Sequence, residues 1–369
     1  MPLQPVKTAV VGCGIISSIY LQNLTTWDIL DVVACADLDP QRAAAQAAKF
    51  HIPRALTVDE VLADPDIELI VNLTIPAAHS TVGLAALRAG KSVYNEKPLA
   101  SQRADGRLML AEARERGLHV GGAPDTFLGG GLQTCRHLID AGAIGQPVAA
   151  TATMLARGPE HWHPDPAFFF KPGAGPLFDM GPYYLTALIA LFGPIRRVTG
   201  MTRTMFPERT IGSGPQRGTL IAVETPTHIA SVLEFVSGPV ATLVTSFDVW
   251  EPYSPSLVIY GTQGTLQAPD PNSFGGPVRL RQAAAAEGRE VALTHGHAEN
   301  SRGIGVADMA YTIRTGRPQR ASGDLALHVV DAMYAILESA ASDRHIELTT
   351  TCERPSGLAA GLPERQLDQ

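Results

Sequence analysis

Glu96-Lys97-Pro98 and the later pair Asp179 and Tyr183 are the residues of this sequence best suited to moving a proton. A lysine ammonium stabilises an oxygen that gains negative charge, and a phenol four residues after a carboxylate offers a proton acceptor with an orienting partner. Taking hydride from a secondary alcohol makes both demands: the hydroxyl proton must leave to a base, and the oxygen must be held as charge develops. A cation beside Tyr183 would lower the phenol's pKa toward working pH, so that it serves as base in oxidation and acid in reduction. Asp179 would then orient Lys97 or bind a substrate hydroxyl. Pro98 makes a cis bond available after Lys97 and would fix the direction in which that side chain leaves the backbone. Plainer readings compete, with Lys97 as a solvated cation, Asp179 as a helix N-cap and Tyr183 as a core aromatic.

Such chemistry needs a hydride carrier, and the sequence offers a cradle for one. Its first strand runs into Val10-Val11-Gly12-Cys13-Gly14-Ile15-Ile16-Ser17, a dinucleotide fingerprint whose third glycine is replaced by serine. Gly12 permits the tight strand-to-helix turn. Gly14 lets a pyrophosphate approach the helix N-terminus, where free N–H groups and the helix dipole favour anions. Ile15 and Ile16 follow in the same turn and join the cofactor-binding set. Asp37 ends the second strand at about the 20-residue offset where a carboxylate bonds the adenosine ribose hydroxyls. It would repel a 2′-phosphate, so NAD is expected ahead of NADP, although Arg42 in the next helix leaves room for the latter.

These groups require a sheet and helices to carry them. The first third alternates short β-branched runs with alanine-rich helical spacing, the rhythm of a parallel sheet wrapped by helices. Strands are expected at 7–11, 32–36, 69–74, 92–95 and 118–121, and helices at 15–24, 40–50, 79–89 and, capped by Ser101, to 116. Lys97 then follows the fourth strand, at the carboxyl edge where open α/β sheets bind ligands. From about Asp125 the rhythm changes. A helix at 132–141, a strand at 148–155 and a helix at 179–191 precede alternating strands such as 229–236 and 240–247, which predict a mostly antiparallel sheet. Helices at 307–314 and 324–341 follow. The fold class is α/β: a Rossmann dinucleotide-binding domain over 1–124, a C-terminal α/β domain with a large, predominantly antiparallel open sheet over 125–350, and a loose polar tail over 351–369.

At 369 residues the chain exceeds one ordinary core, and 45% hydrophobic with 18% charged residues is the balance of a globular enzyme. A net charge of -7 offers no basic face for a phosphate backbone, so nucleic acid is not expected as a partner. No run approaches the roughly 18 apolar residues of a membrane span, and no basic stretch followed by an apolar one opens the chain. Neither membrane nor secretion is expected, and the chain is read as cytoplasmic. Cys13, Cys35, Cys135 and Cys352 lack C-x-x-C spacing and read as free thiols.

The loop Gly158-Pro159-Glu160-His161-Trp162-His163-Pro164 precedes Asp179 and brings it an indole and two imidazoles. An aromatic face edged by polar groups suits a sugar ring, which adds Trp162 and His163 to Lys97, Asp179 and Tyr183 as substrate-binding candidates; a structural loop is the competing reading. No further acidic or cysteine ligand completes a shell around the imidazoles, so no metal is expected. Asp125, at the end of the fifth strand, is another substrate-binding candidate. Phe168-Phe169-Phe170 reads as a packed cluster beneath the loop, and His295-Gly296-His297 as a flexible loop.

Taken in order, Gly12-Cys13-Gly14, Asp37, Thr74-Ile75-Pro76 with His79, Glu96-Lys97-Pro98, and Asp179-Met180-Gly181 with Tyr183 resemble the Gfo/Idh/MocA family over nearly the whole chain. The resemblance implies an NAD(P)-binding Rossmann domain in which Thr74, Ile75, Pro76, His79 and Glu96 join Lys97 at the cofactor. It also implies a C-terminal domain whose open sheet carries the substrate site on one side and an oligomer interface, of a dimer or tetramer, on the other. The implied activity is an oxidoreductase acting on a secondary alcohol or ketone of a sugar, cyclitol or related polyol. Lys97 would meet both nicotinamide and the reacting hydroxyl, with Asp179 and Tyr183 completing the acid/base set. Inositol-dehydrogenase-like members carry histidine where Tyr183 stands, whereas glucose-fructose oxidoreductase resembles this chain in using tyrosine. Two alternatives share the fold: a glycosidase that retains NAD and oxidises its substrate transiently, and a non-catalytic sugar or dinucleotide sensor, against which the retention of Lys97 and Asp179 speaks.

Overall fold

The computed structural model describes residues 3–368; residues 1, 2 and 369, the outermost positions of the expected first domain and tail, lie outside the described residues. The chain divides into two compact units built from separated stretches. The first comprises the residues up to Gln133, Thr294–Val330 and those from Pro355 onward; the second comprises Thr134–Leu293 and Asp331–Arg354.

In the first unit, strands and helices alternate as β1 (Val6–Val11), α1 (Ser17–Leu24), β2 (Leu30–Ala36), α2 (Pro40–Phe50), β3 (Arg54–Leu56), α3 (Val58–Ala63), β4 (Leu69–Asn72), α4 (His79–Arg88), β5 (Ser92–Asn95), α5 (Arg103–Arg116) and β6 (Val120–Gly122). Among the described residues they form a six-stranded sheet in the order β3-β2-β1-β4-β5-β6, parallel throughout. Strands β4 and β5 are wholly buried, as a parallel sheet with both faces covered requires. The strand order reverses between β1 and β4, which opens a crevice at their carboxyl ends. Local sequence sets the helix limits. Asp39 accepts the Gln41 N–H ahead of α2, and Pro40 takes the first helical position, where no N–H is needed. Thr57 and Glu60 cap α3 reciprocally. Gln102, not Ser101, stands at the N-cap position of α5, and the Ser101 hydroxyl donates to the Pro76 carbonyl at 2.9 Å. β3 is three residues long and mostly exposed, too short for a sequence pattern to reveal.

α6 (Gly130–Asp140) carries the chain into the second unit, where β7 (Pro147–Leu155), α7 (Gly175–Phe192), β8 (Ile195–Arg203), β9 (Glu208–Thr210), β10 (Leu220–Ala222), β11 (His228–Phe235), β12 (Val240–Ser246), β13 (Leu257–Gly261), β14 (Gly264–Ala268), β15 (Val278–Gln282) and β16 (Arg289–Val291) follow. α8 (Ile304–Thr315) lies in the first unit, α9 (Gly323–Ser342) leads back to the second, and β17 (Ile346–Glu347) completes its sheet. Nine of these strands run in the order β16-β15-β14-β13-β7-β12-β11-β8-β17. Only β7 and β12 pair in parallel among them. Alternation along β11 and β12 buries Ile229, Leu233, Ala241 and Leu243 and exposes Val232 and Val240. The apolar helix α7 packs on β7, β11 and β12. α9 has the length and apolarity of a membrane span, but 67% of its most apolar window is buried within the protein.

Three expectations are corrected here. Thr294–Val330 joins the first unit because α8 packs against β1, β6 and α1. The segment after 350 is no loose tail: Cys352, Leu358 and Leu367 are buried, Arg320 donates to the Ser356 and Gly357 carbonyls and to Asp368, and the Gln133 side chain accepts the Leu358 N–H. Single apolar anchors spaced along a Pro- and Gly-containing stretch leave no periodic signal. His295 and His297 are buried rather than in a flexible loop, one against the Leu358 carbonyl at 3.0 Å and the other stacked on Trp27.

Candidate active site

The turn after β1 distinguishes its two glycines. Gly12 has φ +101°, and a Cβ on it would fall 2.6 Å from the Leu73 carbonyl carbon, so only glycine fits where the ends of β1 and β4 approach. A Cβ on Gly14 would meet nothing within 4 Å, leaving open space ahead of α1, which starts at the Ile16 cap position without a side-chain cap. Ser17, in the third glycine position, is buried and donates its hydroxyl to the Gly14 carbonyl at 2.7 Å. Asp37 is fixed through both carboxylate oxygens, which accept the Cys13 N–H at 2.7 Å and the Asp39 N–H at 2.9 Å. Each oxygen keeps a lone pair for a ribose hydroxyl, while a 2′-phosphate would meet like charge. Ile15, Leu38 and Ile75 expose apolar side chains along this edge, and Pro76 opens a short turn beside them. Leu38 escaped the sequence reading because no motif marks the residue after Asp37. An open turn, an oriented carboxylate and apolar lips fit a dinucleotide.

Lys97 leaves the end of β5 through a cis bond to Pro98. Glu96 accepts the Lys97 N–H on one oxygen and the Tyr20 hydroxyl on the other, each at 2.8 Å, which ties the turn to α1. Burial, reinforced by the Glu96 charge, pushes the Tyr20 phenol well above its ordinary value and keeps it a neutral donor. Thr74 turns its N–H and hydroxyl onto Asn72, fixing the exit from β4. Two candidates are corrected. His79 is buried, with one ring nitrogen 2.7 Å from the Pro98 carbonyl and the other 3.0 Å from the Thr74 carbonyl; it clamps the two turns together and does not face a cofactor. Asp125 is 1% exposed and accepts the N–H groups of Gly303 and Gly305 at 2.8 and 3.0 Å, so it serves the start of α8 instead of a substrate. Its burial raises the carboxyl to about 6 against the pull of those two bonds.

In the second unit α7 begins a turn before Asp179, and Ala174 occupies the N-cap position, which removes the capping reading of Asp179. Tyr183 follows one turn later on the same face and is largely buried. Asp179 lines a cleft of about 430 Å³ with Arg157, His161, Trp162, Phe247 and Trp250. Arg157 and Trp250 stand just beyond the carboxyl ends of the parallel pair β7 and β12. Trp162 lies where the loop was expected to bring it. His163 does not line the cleft: its Nδ1 accepts the Asp165 N–H at 3.1 Å and its ring packs edge-on against Trp162, Phe168 and Phe169. Phe169 and Phe170 pack with Ile211, Ile221 and Phe247, while Phe168 is exposed. Arg209 holds the loop from behind, donating to Glu160 at 2.7 Å, to Asp248, and to the Arg157 and Phe247 carbonyls at 3.2 Å each. His161 comes with the loop the sequence pointed to, whereas sequence reasoning missed Arg157 and Trp250, which the β7–β12 pairing unites, and Arg209, which reaches the loop only through its side chain.

Two family descriptions match the chain: an oxidoreductase family with an NAD-binding Rossmann fold over residues 6–122, and the GFO/IDH/MocA C-terminal domain over residues 132–267. An uncharacterized oxidoreductase of Schizosaccharomyces pombe is 28% identical over 207 residues, which are 53% of this chain and 55% of that one. The trans-1,2-dihydrobenzene-1,2-diol dehydrogenase of Bos taurus is 28% identical over 268 residues, 72% of this chain and 74% of the relative. Among solved structures, a levoglucosan dehydrogenase in complex with NADH has a TM-score of 0.80 at 21% identity, covering 94% of this chain and 100% of that one. At that identity the likeness shows a shared fold.

Proposed function

The chain belongs to the GFO/IDH/MocA family of NAD-binding oxidoreductases, and from that premise we propose that it moves hydride between NAD and a secondary alcohol or ketone of a sugar, cyclitol or related polyol. The observation that carries this reading is one edge of the first unit's sheet, where the Gly12–Gly14 turn, Asp37 and Lys97 all stand at the carboxyl ends of strands. NAD, when bound, supplies the hydride acceptor. Gly14 admits the pyrophosphate and Asp37 bonds the ribose hydroxyls. Lys97 holds the substrate oxygen as its charge develops, Tyr183 takes the hydroxyl proton on its phenolic oxygen, and Asp179 orients the substrate through a second hydroxyl. Trp162 offers its indole to the apolar side of a ring. The names of a diol dehydrogenase and a levoglucosan dehydrogenase among the similar proteins support the alcohol class.

In the same reading, copies of the chain pair through the open face of the second unit's sheet, where Met201, Val232, Val240 and Tyr260 share one side by cross-strand register and are exposed. Sedimentation tests the pairing, with Val232→Arg expected to yield monomers. The chain is placed in the cytoplasm, which cell fractionation tests. A panel of sugars, cyclitols and polyols, each offered with NAD and with NADP and followed by NADH absorbance, tests the activity. At least one alcohol should reduce NAD, and NADP more weakly. Silence with every alcohol, and with the matching ketones and NADH in reverse, would overturn the reading.

A further inference from the structure

Two neighbouring arginines of the second unit are partnered in different ways. Arg209 has Glu160 and Asp248 on its terminal nitrogens and is 3% exposed. Arg157, whose carbonyl Arg209 holds, lines the cleft that contains Asp179, and its own Nε and Nη1 are buried with no hydrogen-bond acceptor among the described residues. Nearby, Glu160 gives Oε1 and Asp248 gives Oδ1 to Arg209; Asp248 Oδ2 accepts the Thr227 hydroxyl, and Glu160 Oε2 is buried without a donor among the described residues. The Arg157 guanidinium carbon lies 4.3 Å from the Trp250 ring centroid and 5.0 Å from that of Phe206, so aromatic faces hold it from the side. Trp250 and Phe206 are themselves 77% and 41% exposed, so the rings beside the guanidinium face solvent on their outer sides. Arg157 is half-buried as a residue, and two buried guanidinium donors left unmet are a costly arrangement that an entering anion relieves, while a guanidinium fork suits carboxylate or phosphate oxygens better than a hydroxyl.

We propose that Arg157 is an anion subsite and that the substrate is an acidic polyol, a hydroxylated ring or chain bearing a carboxylate or a phosphate. The inference rests on the polyol-oxidoreductase reading and narrows its substrate class. Asp179, on the same cleft, takes a hydroxyl of that substrate, Arg157 takes its anionic group, and the Trp250 indole shifts as the anion enters. A neutral sugar leaves the Arg157 donors unmet.

The test uses matched sets offered to the full chain: D-glucose with D-gluconate, D-glucuronate and D-glucose 6-phosphate, and myo-inositol with its monophosphate. Turnover is followed by NADH absorbance, and binding by tryptophan fluorescence. An anionic member should exceed its neutral counterpart in kcat/KM by on the order of tenfold or more, through KM, and should quench fluorescence saturably. The better of carboxylate and phosphate identifies the source of the charge. Arg157→Met should collapse the preference toward unity, while Arg157→Lys keeps part of it. Equal or better use of the neutral member, a preference retained in Arg157→Met, or saturation by no member overturns the proposal. Should the methionine variant misfold by circular dichroism, the parent ratio and the lysine variant decide. Saturable anion binding lost in Arg157→Met, with no turnover of anything, would uphold the subsite and sink the redox reading. Turnover of neutral sugars without anion preference would do the reverse.

Discussion

Gly12 and Gly14 lack side chains for different physical reasons, and substitution should separate them. At Gly12 a methyl would press on the Leu73 backbone from a backbone of φ +101°. Gly12→Ala should therefore lose about 1–3 kcal/mol of stability, seen as a lower Tm. Gly14→Ala, facing open space, should keep the parent Tm while weakening NADH affinity in a fluorescence titration; unchanged affinity would remove Gly14 from the cradle. Asp125 gives a pH signature. Its carboxyl ordinarily titrates near 3.8 and burial raises it to about 6 in the folded chain, so the folded state binds this proton more tightly than the unfolded state. The stability it contributes is full below about 3.8 and is lost as pH rises through about 6. In Asp125→Asn the amide oxygen keeps both helix bonds, and urea denaturation across that window should show a flatter slope; the parent slope would exclude Asp125 as its cause. Sequence made Gly12 and Asp37 legible through short-range spacing. It hid the role of Asp125, whose partners lie 178 and 180 residues away.

Among the elements, the loop entering the cleft depends on Arg209. Its side chain and that of Glu160 are 3% and 2% exposed, and Asp248 is 8% exposed, so Arg209→Met strands two buried carboxylates. Such a loss should amount to about 3–5 kcal/mol, readable by calorimetry, and a loss within the range of a surface pair would show that the cluster does not hold the loop. Periodicity in the sequence found the body of α7 and the strands β11 and β12, since each has a clear apolar face. It placed the start of α7 four residues late, because Gly175-Pro176-Leu177-Phe178 has the composition of a turn although Pro176 is at home in a first helical turn. The parallel pairing of β7 with β12, which brings Arg157 and Trp250 to one cleft, crosses a long insertion that no local pattern registers.

For the whole molecule, two units assembled from interleaved stretches make the C-terminal segment a structural part of the first one. Truncation after Arg354 removes the buried Leu358 and Leu367 and the Asp368 partner of Arg320. At about 1.5–3 kcal/mol for each buried leucine, a marked fall in Tm and loss of NADH binding with it are expected, whereas a truncated chain with parent stability would restore the loose-tail reading. The central claim is hydride transfer supported by Lys97, and isotope transfer measures it most directly. Sugars and polyols carrying deuterium on their carbinol carbons are incubated with NAD and the chain, and the reduced nicotinamide is weighed by mass spectrometry. The account predicts deuterium in the nicotinamide ring with the parent and none with Lys97→Ala, which still binds NADH. Reduced nicotinamide without the label, or label undiminished in the alanine variant, would contradict it.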